Sequence, residues 1–162
     1  EGAVHWDGED IATDPEAHNA HLHYVGHADP VKPVLTVGEN LRFWTLMKNG
    51  AKKSGGESDV DQAVGGALGQ LGIGHLESVP GRFLSAGQKR RVNLARLLAA
   101  PAALWLLDEP ATALDRAAMQ SLDDAIGRHR SGGGMVVIST HAEAAQKDAA
   151  IIDLATFQAG GP

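Results

Sequence analysis

Residues 104–107, Leu104-Trp105-Leu106-Leu107, and residues 135–138, Met135-Val136-Val137-Ile138, are apolar without alternation. Continuous runs of this kind are how parallel strands covered on both faces read. Between them, residues 116–130 have the length and composition of a helix, and Gly132-Gly133-Gly134 breaks it. A strand, a crossover helix and a second strand in the same sheet make a right-handed parallel unit. The chain is therefore expected to be α/β, with a parallel sheet and flanking helices. Leu22-His23-Tyr24-Val25, ending at Gly26, supplies an earlier short strand. After Thr140 a short helix is expected over residues 142–148, and Ile151-Ile152-Asp153-Leu154 reads as a last strand.

The stretch between the first strand and the apolar runs has a different character. Thr36 and Glu39 are spaced as a capping box, so a helix should start there, with Leu41, Phe43, Trp44 and Met47 on its apolar side. Residues 49–59 are rich in Gly, Lys and Ser and read as an exposed loop. Val60, Val64, Ala67, Leu68 and Leu71 return at helical spacing, and Gly72 closes that helix. At the start of the chain, residues 4–11 read as strand and tight turn around Asp7-Gly8. The expected organisation is a core start over residues 1–35, a helical subdomain over 36–88 and the rest of the core over 89–162.

Composition sets outer limits. The chain has 162 residues, 43% of them hydrophobic and 21% charged, which suits one soluble globular domain. No run approaches the roughly 18 apolar residues of a membrane span. There is no cysteine, hence no disulfide, which fits a cytoplasmic location. A formal charge of -6 argues against nucleic acid as a partner, and Lys89-Arg90-Arg91 is too short a basic cluster to reverse that.

Chemistry concentrates at three places. Asp108 ends a buried strand, where an α/β sheet presents groups to ligands, and a carboxylate there suits Mg²⁺ through water. Glu109 projects differently and is the general-base candidate. Leu84-Ser85-Ala86-Gly87-Gln88 opens a basic helix, whose unpaired N–H groups and positive end suit a phosphate; Ser85 is equally a good N-cap for an ordinary helix. His141 follows the strand at 135–140 directly. A phosphate-cradling G-x-x-x-x-G-K-S/T loop is nowhere in the sequence. Lys53-Ser54 does not qualify, because Lys52 stands where glycine is needed and Gly50 lies too close.

The turn at Leu84–Gln88 and the Leu104–Pro110 segment together closely resemble the signature and Walker B segments of ATP-binding cassette (ABC) ATPases. The resemblance covers nearly the whole chain, and implies a nucleotide-binding core whose first strand, P-loop and first helix are missing, as in a fragment of a longer protein. It implies that Ser85, Ala86, Gly87 and Gln88 face the γ-phosphate of ATP held on an opposing subunit, so the ATP-binding subunits work as a homodimer. Ala86 replaces the commoner glycine, tolerable where the backbone is helical. Ala113-Leu114-Asp115 matches the D-loop, with Asp115 reporting on the partner's site, and His141 matches the switch histidine.

His27 stands where the family's Q-loop glutamine reaches Mg²⁺ and the attacking water. With Tyr24-Val25-Gly26, Lys32-Pro33 and the segment from Leu35 to Trp44, it resembles the haem-exporter branch of the family, which serves cytochrome c biogenesis. That implies ATP and Mg²⁺ as cofactors, membrane subunits of a haem exporter as partners and a place on the cytoplasmic face of the bacterial plasma membrane. The fragment alone would be inactive. An imidazole titrates near neutrality, so hydrolysis should vary with pH more steeply than with glutamine at position 27. The groove near His27 to Trp44 is expected to receive a membrane-subunit helix. His18, His21, His23 and His27 invite a metal or haem reading, but no cysteine or acidic pair reinforces it, and haem is not expected on this chain. Other readings are another ABC transporter's ATPase, a soluble ABC-type ATPase, or a non-enzymatic interaction module.

Overall fold

The computed structural model describes residues 2–49, 56–141 and 149–157. Lys53, Ser54 and the helix expected over 142–148 lie outside the described residues.

The chain opens with a hairpin, β1 (His5–Trp6) and β2 (Glu9–Asp10), paired antiparallel with His5 opposite Asp10. Asp7 and Gly8 both take positive φ, +52° and +87°, which is the geometry a two-residue Asp-Gly hairpin turn requires. Helix α1 (Pro15–Ala20) follows, with Asp14 accepting a hydrogen bond from the Ala17 N–H at 2.9 Å. Strand β3 (Leu22–Val25), β4 (Leu104–Asp108) and β5 (Met135–Ser139) form a parallel sheet in the order β3-β4-β5. The helix between β4 and β5, α5 (Arg116–Ser131), is the crossover, and the chain turns after it at Gly133 with φ +86°.

Helices α2 (Val37–Asn49) and α3 (Glu57–Gln70) pack on α4 (Ala86–Ala99). The capping box of α2 is formed, with Glu39 N–H to Thr36 Oγ1 at 3.1 Å and Thr36 N–H to Glu39 Oε2 at 2.7 Å. Helix α3 begins at Glu57, so residues 57–59, expected in the loop, are instead its first turn. Acidic Glu57 and Asp59 favour that end of a helix. Arg42 of α2 pairs with Asp61 and, at 3.6 Å, with Glu57, joining the two helices. Gly72 closes α3 with φ +69°.

One apolar cluster unites the two parts. It includes Val37 and Leu41 of α2, Val64 and Leu68 of α3, Leu94 and Leu97 of α4, Trp105 and Leu107 of β4, and Leu122 and Ile126 of α5. The strands were expected to be buried on both faces, and they are not. Trp105 and Leu107 are buried, whereas Met135 and Val137 of β5 are 48% and 58% exposed. Among the described residues the helices cover only the sheet face of Trp105 and Leu107. The strand expected at residues 151–154 is not formed either: 151–153 carry no regular structure and Leu154–Phe157 is a 3₁₀ turn.

A buried histidine gives the sheet a pH dependence. His23 of β3 is 6% exposed and its Nε2 bonds the Ala100 carbonyl at 3.0 Å. Burial pushes its pKa from 6.5 down to about 4, with Lys48, Arg96 and His129 adding to the effect and the Ala100 bond opposing it. Between those values the unfolded chain binds a proton here that the folded chain does not. Stability from this site is therefore complete above pH 6.5 and falls as pH drops towards 4, by up to about 3 kcal/mol in all. Urea unfolding of the full-length protein from pH 8 to pH 4 should show the parent losing more than His23→Gln, whose amide keeps a donor for Ala100; parallel curves would remove His23 as the cause.

Candidate functional site

The parallel strands deliver Asp108, Glu109 and His141 to one end of the sheet. Asp108 is the last residue of β4, and its Oδ1 accepts the Ser139 hydroxyl at 3.2 Å from the end of β5. Glu109 extends the ladder, its N–H donating to the Ser139 carbonyl at 2.9 Å. It then takes φ +45°, left-handed for a residue with a side chain. That backbone turn sends its carboxylate back across the sheet end, where Oε1 accepts the His141 N–H at 2.8 Å. The His141 imidazole is fully exposed, with Nε2 3.9 Å from the same oxygen. His27 lies two residues beyond β3, at the same end of the sheet, and is exposed.

The turn at Ser85 forms a second, separate feature. Ser85 caps α4 in a full capping box: its Oγ accepts the Gln88 N–H at 3.3 Å, and its own N–H donates to Gln88 Oε1 at 2.9 Å. Two of the four terminal donors are thus satisfied. The N–H groups of Ala86 and Gly87, first and second in the helix, have no carbonyl four residues back and point out of the helix end. Ala86 is helical, so its methyl is accommodated. Gly87 lies so close to the next segment that an added Cβ would stand 2.7 Å from the Ala113 carbonyl oxygen.

His75, Ser85, Gly87, Gln88, Arg91, Ala113 and Asp115 are among the residues that line a cleft of about 350 Å³. Asp115 caps α5 by accepting the Ala118 N–H at 2.9 Å, and it pairs with Arg91 at 2.5 Å. The Ala118 bond first, with the Arg91 charge, holds its carboxyl below the usual range. None of Asp108, Glu109 or His141 lines this cleft. The sequence-identified residues therefore form two groups within one chain, one at the sheet end and one at the start of α4.

What joins them is Arg90, which the sequence shows only as part of the short basic cluster Lys89-Arg90-Arg91. It is 3% exposed. Its Nη2 donates to the Asp108 and Glu109 carbonyls at 2.8 and 2.7 Å, and Nη1 to the Gly26 carbonyl at 2.7 Å. Nε reaches the Pro110 carbonyl at 3.3 Å, and Asp29 neutralises the charge at 3.3 Å. A readable signal existed: Arg90, Leu94 and Leu97 share one helical face, so an arginine stood on the buried stripe.

The early histidines do not converge. His23 is turned into the core, while His18 and His21 lie against the Trp6 ring at 5.8 and 6.0 Å. His21 ends α1 and is not on a strand. No group of three His, Asp, Glu or Cys able to hold a metal is found among the described residues.

With this geometry in view, comparison with known proteins decides the lineage. A profile described as "ABC transporter" matches residues 1–112. The chain belongs to the ABC transporter family. Within that family it is 56% identical over 142 residues to the "Cytochrome c biogenesis ATP-binding export protein CcmA" of Paramagnetospirillum magneticum, covering 88% of this chain and 63% of that one. The protein of the same name from Rhodospirillum rubrum is 53% identical over 157 residues, 96% of this chain and 63% of that one. A third, from Cupriavidus metallidurans, is 38% identical over all 162 residues, 72% of its length. The chain thus spans somewhat under two thirds of the first two relatives. Among solved structures, the ATP-binding subunit of an ABC transporter superposes with TM-score 0.75 at 23% identity, over 87% of this chain and 57% of that one. A dimeric, post-hydrolysis ATP-binding cassette bound to ADP and Pi gives 0.76 at 23% identity, over 88% and 63%. The ABC ATPase fold is therefore that of this chain. No helix among the described residues is long and apolar enough to cross a membrane.

Proposed function

We propose that the protein containing this chain is the ATP-hydrolysing subunit of a haem exporter in cytochrome c maturation. The observation that carries the reading is Glu109, set by a left-handed backbone and the His141 N–H at the exposed end of a parallel sheet. The names of the relatives, which speak of cytochrome c biogenesis and export, support the cargo system.

In this reading Glu109 takes the proton of a water whose oxygen bonds the γ-phosphorus as the bond to the leaving ADP oxygen breaks. The exposed His141 imidazole donates to the phosphate, and the Ala86 and Gly87 amides with the Ser85 hydroxyl stabilise its charge. Because Ser85 and Gly87 line a cleft apart from Glu109, this helix start serves ATP bound to a second copy of the chain, and Asp115 faces that copy. Asp108 and His27 are the residues that would hold Mg²⁺, whose chemistry is to neutralise phosphate charge. Asp108 fits: its carboxylate stands at the strand end, with a neutral hydroxyl as its hydrogen-bonding neighbour.

The membrane subunits dock, in the same reading, on the outer face of α2. Phe43, Leu46 and Met47 are 37%, 49% and 61% exposed there. Phe43 packs edge-on to Trp44 and carries the Lys32 ammonium 4.7 Å from its ring. Asn40, 1% exposed, fixes the approach to this face by bonding Lys32 N–H and the Lys32, Leu35 and Thr36 carbonyls. The full-length protein, expressed with its neighbouring membrane proteins, should co-purify with them and hydrolyse ATP. Phe43→Ala should weaken the association several-fold, as the loss of a buried aromatic anchor does. Hydrolysis with no membrane protein attached, and no effect of Phe43→Ala, would point to a soluble ABC-type ATPase instead.

A further inference from the structure

An unbroken line of side-chain contacts runs from the sheet end to the outer face of α2. Arg90, holding the carbonyls of Asp108 and Glu109, pairs with Asp29. The same Asp29 oxygen accepts the Asn93 amide N–H at 3.0 Å, and the Asn93 amide oxygen accepts from Arg96 Nη1 at 2.9 Å. The Arg96 guanidinium lies over the Trp44 indole, 4.1 Å from the ring centroid. Trp44 in turn meets Phe43, ring to ring, at 5.3 Å.

Two members are hard to explain as packing alone. Asn93 is 1% exposed in the middle of α4, among Val92, Leu94 and Ala95, where an apolar residue would bury at lower cost. Both ends of its amide are used, each by a different neighbour in the line. Arg96 is the loosest joint. Its Nε is buried without a hydrogen-bond partner, so the guanidinium depends on Asn93 and on the indole beneath it. A cation over an aromatic ring gains strength as water is removed from the contact.

We propose that Asp29, Asn93 and Arg96 form a relay, through Arg90, that sets the position of Glu109 according to what covers Trp44. The inference rests on the docking reading above and names the residues that act on it. A membrane-subunit helix laid on Phe43 and Trp44 dries the Arg96–Trp44 contact and fixes the guanidinium. Asn93 is then held, Asp29 is held by Asn93, and Arg90 grips the Glu109 carbonyl in one setting. The segment through which the relay acts is Gly26–Asp29, which carries His27 and touches Arg90 at both ends. Asn93 and Arg96 are positioning residues and touch neither nucleotide nor partner.

The test uses the full-length protein with its membrane subunits and compares ATP hydrolysis with and without them. Asn93→Leu, similar in size, should keep the partner-free rate and reduce the partner-induced stimulation roughly two- to thirtyfold, the span of measured couplings along such networks. Trp44→Leu should reduce stimulation in the parent and add nothing in the Asn93→Leu background. Arg96→Gln keeps a donor for Asn93 and loses the cation, so it gives the same readout should Asn93→Leu fail to fold. Equal effects of Trp44→Leu in both backgrounds, with subunits still bound, would overturn the relay alone. A Trp44→Leu protein that binds and responds like the parent would remove the docking reading and the relay with it.

Discussion

Glu109→Gln in the full-length protein should bind ATP like the parent and hydrolyse it about 10²- to 10⁴-fold more slowly, the usual contribution of a positioned general base. The expectation is specific because glutamine keeps an oxygen for the His141 N–H, now 2.8 Å from the Glu109 carboxylate. Its backbone N–H to the Ser139 carbonyl is untouched. Only the ability to take a proton is lost. Steady-state hydrolysis beside a binding measurement with a fluorescent nucleotide separates the two quantities. A variant within a few-fold of the parent rate would take the proton-accepting role from Glu109.

The largest stability change should follow Arg90→Met. It takes a donor from four carbonyl groups, those of Gly26, Asp108, Glu109 and Pro110, of which Glu109 keeps the Thr112 N–H at 3.2 Å, and strips Asp29 of its counter-charge. Removing one partner of a buried charge pair costs about 3–5 kcal/mol, and each orphaned buried acceptor adds to it. Arg90→Lys should recover only part, since one ammonium cannot span carbonyls on both sides of the sheet end. The denaturant midpoint at constant slope gives the number. A loss under about 1 kcal/mol would mean water replaces the guanidinium without penalty.

The sequence declared this fold unevenly. Leu22–Val25, Leu104–Asp108 and the crossover helix were visible because apolar runs and a glycine break are local signals, and the capping box at Thr36 and the N-cap at Ser85 mark helix starts by chemistry alone. The helix at Pro15 escaped although Asp14-Pro15 is a cap followed by a proline in the first turn, because six residues are too few to show a period. Ile151 to Leu154 shows the opposite failure. Four residues rich in apolar side chains look like a strand, but Ile151, Ile152 and Leu154 are each over 70% exposed, with no sheet edge recruited.

For the site, residue types that carry chemistry were legible and the scaffold beneath them was not. Asp108, Glu109 and His141 could be placed at strand ends from the order of the chain. That Glu109 turns back through a positive φ to reach the His141 backbone depends on a contact across 32 residues, which no local pattern encodes. Asp29 and Asn93 were passed over for the same reason. Each is unremarkable in its own segment and acquires meaning only when α4 brings them within 3.0 Å.

The hold of Arg90 on its neighbours is through main-chain oxygens, apart from Asp29. The Asp108 and Glu109 carboxylates are therefore hung on a frame that does not consult their identity. At positions 108 and 109 a side chain can be exchanged for its amide with the peptide groups still anchored from behind, so chemistry at this sheet end is separable from architecture. A Glu109→Gln protein would for that reason be a faithful replica of the parent backbone in which to trap the nucleotide and the partners proposed above.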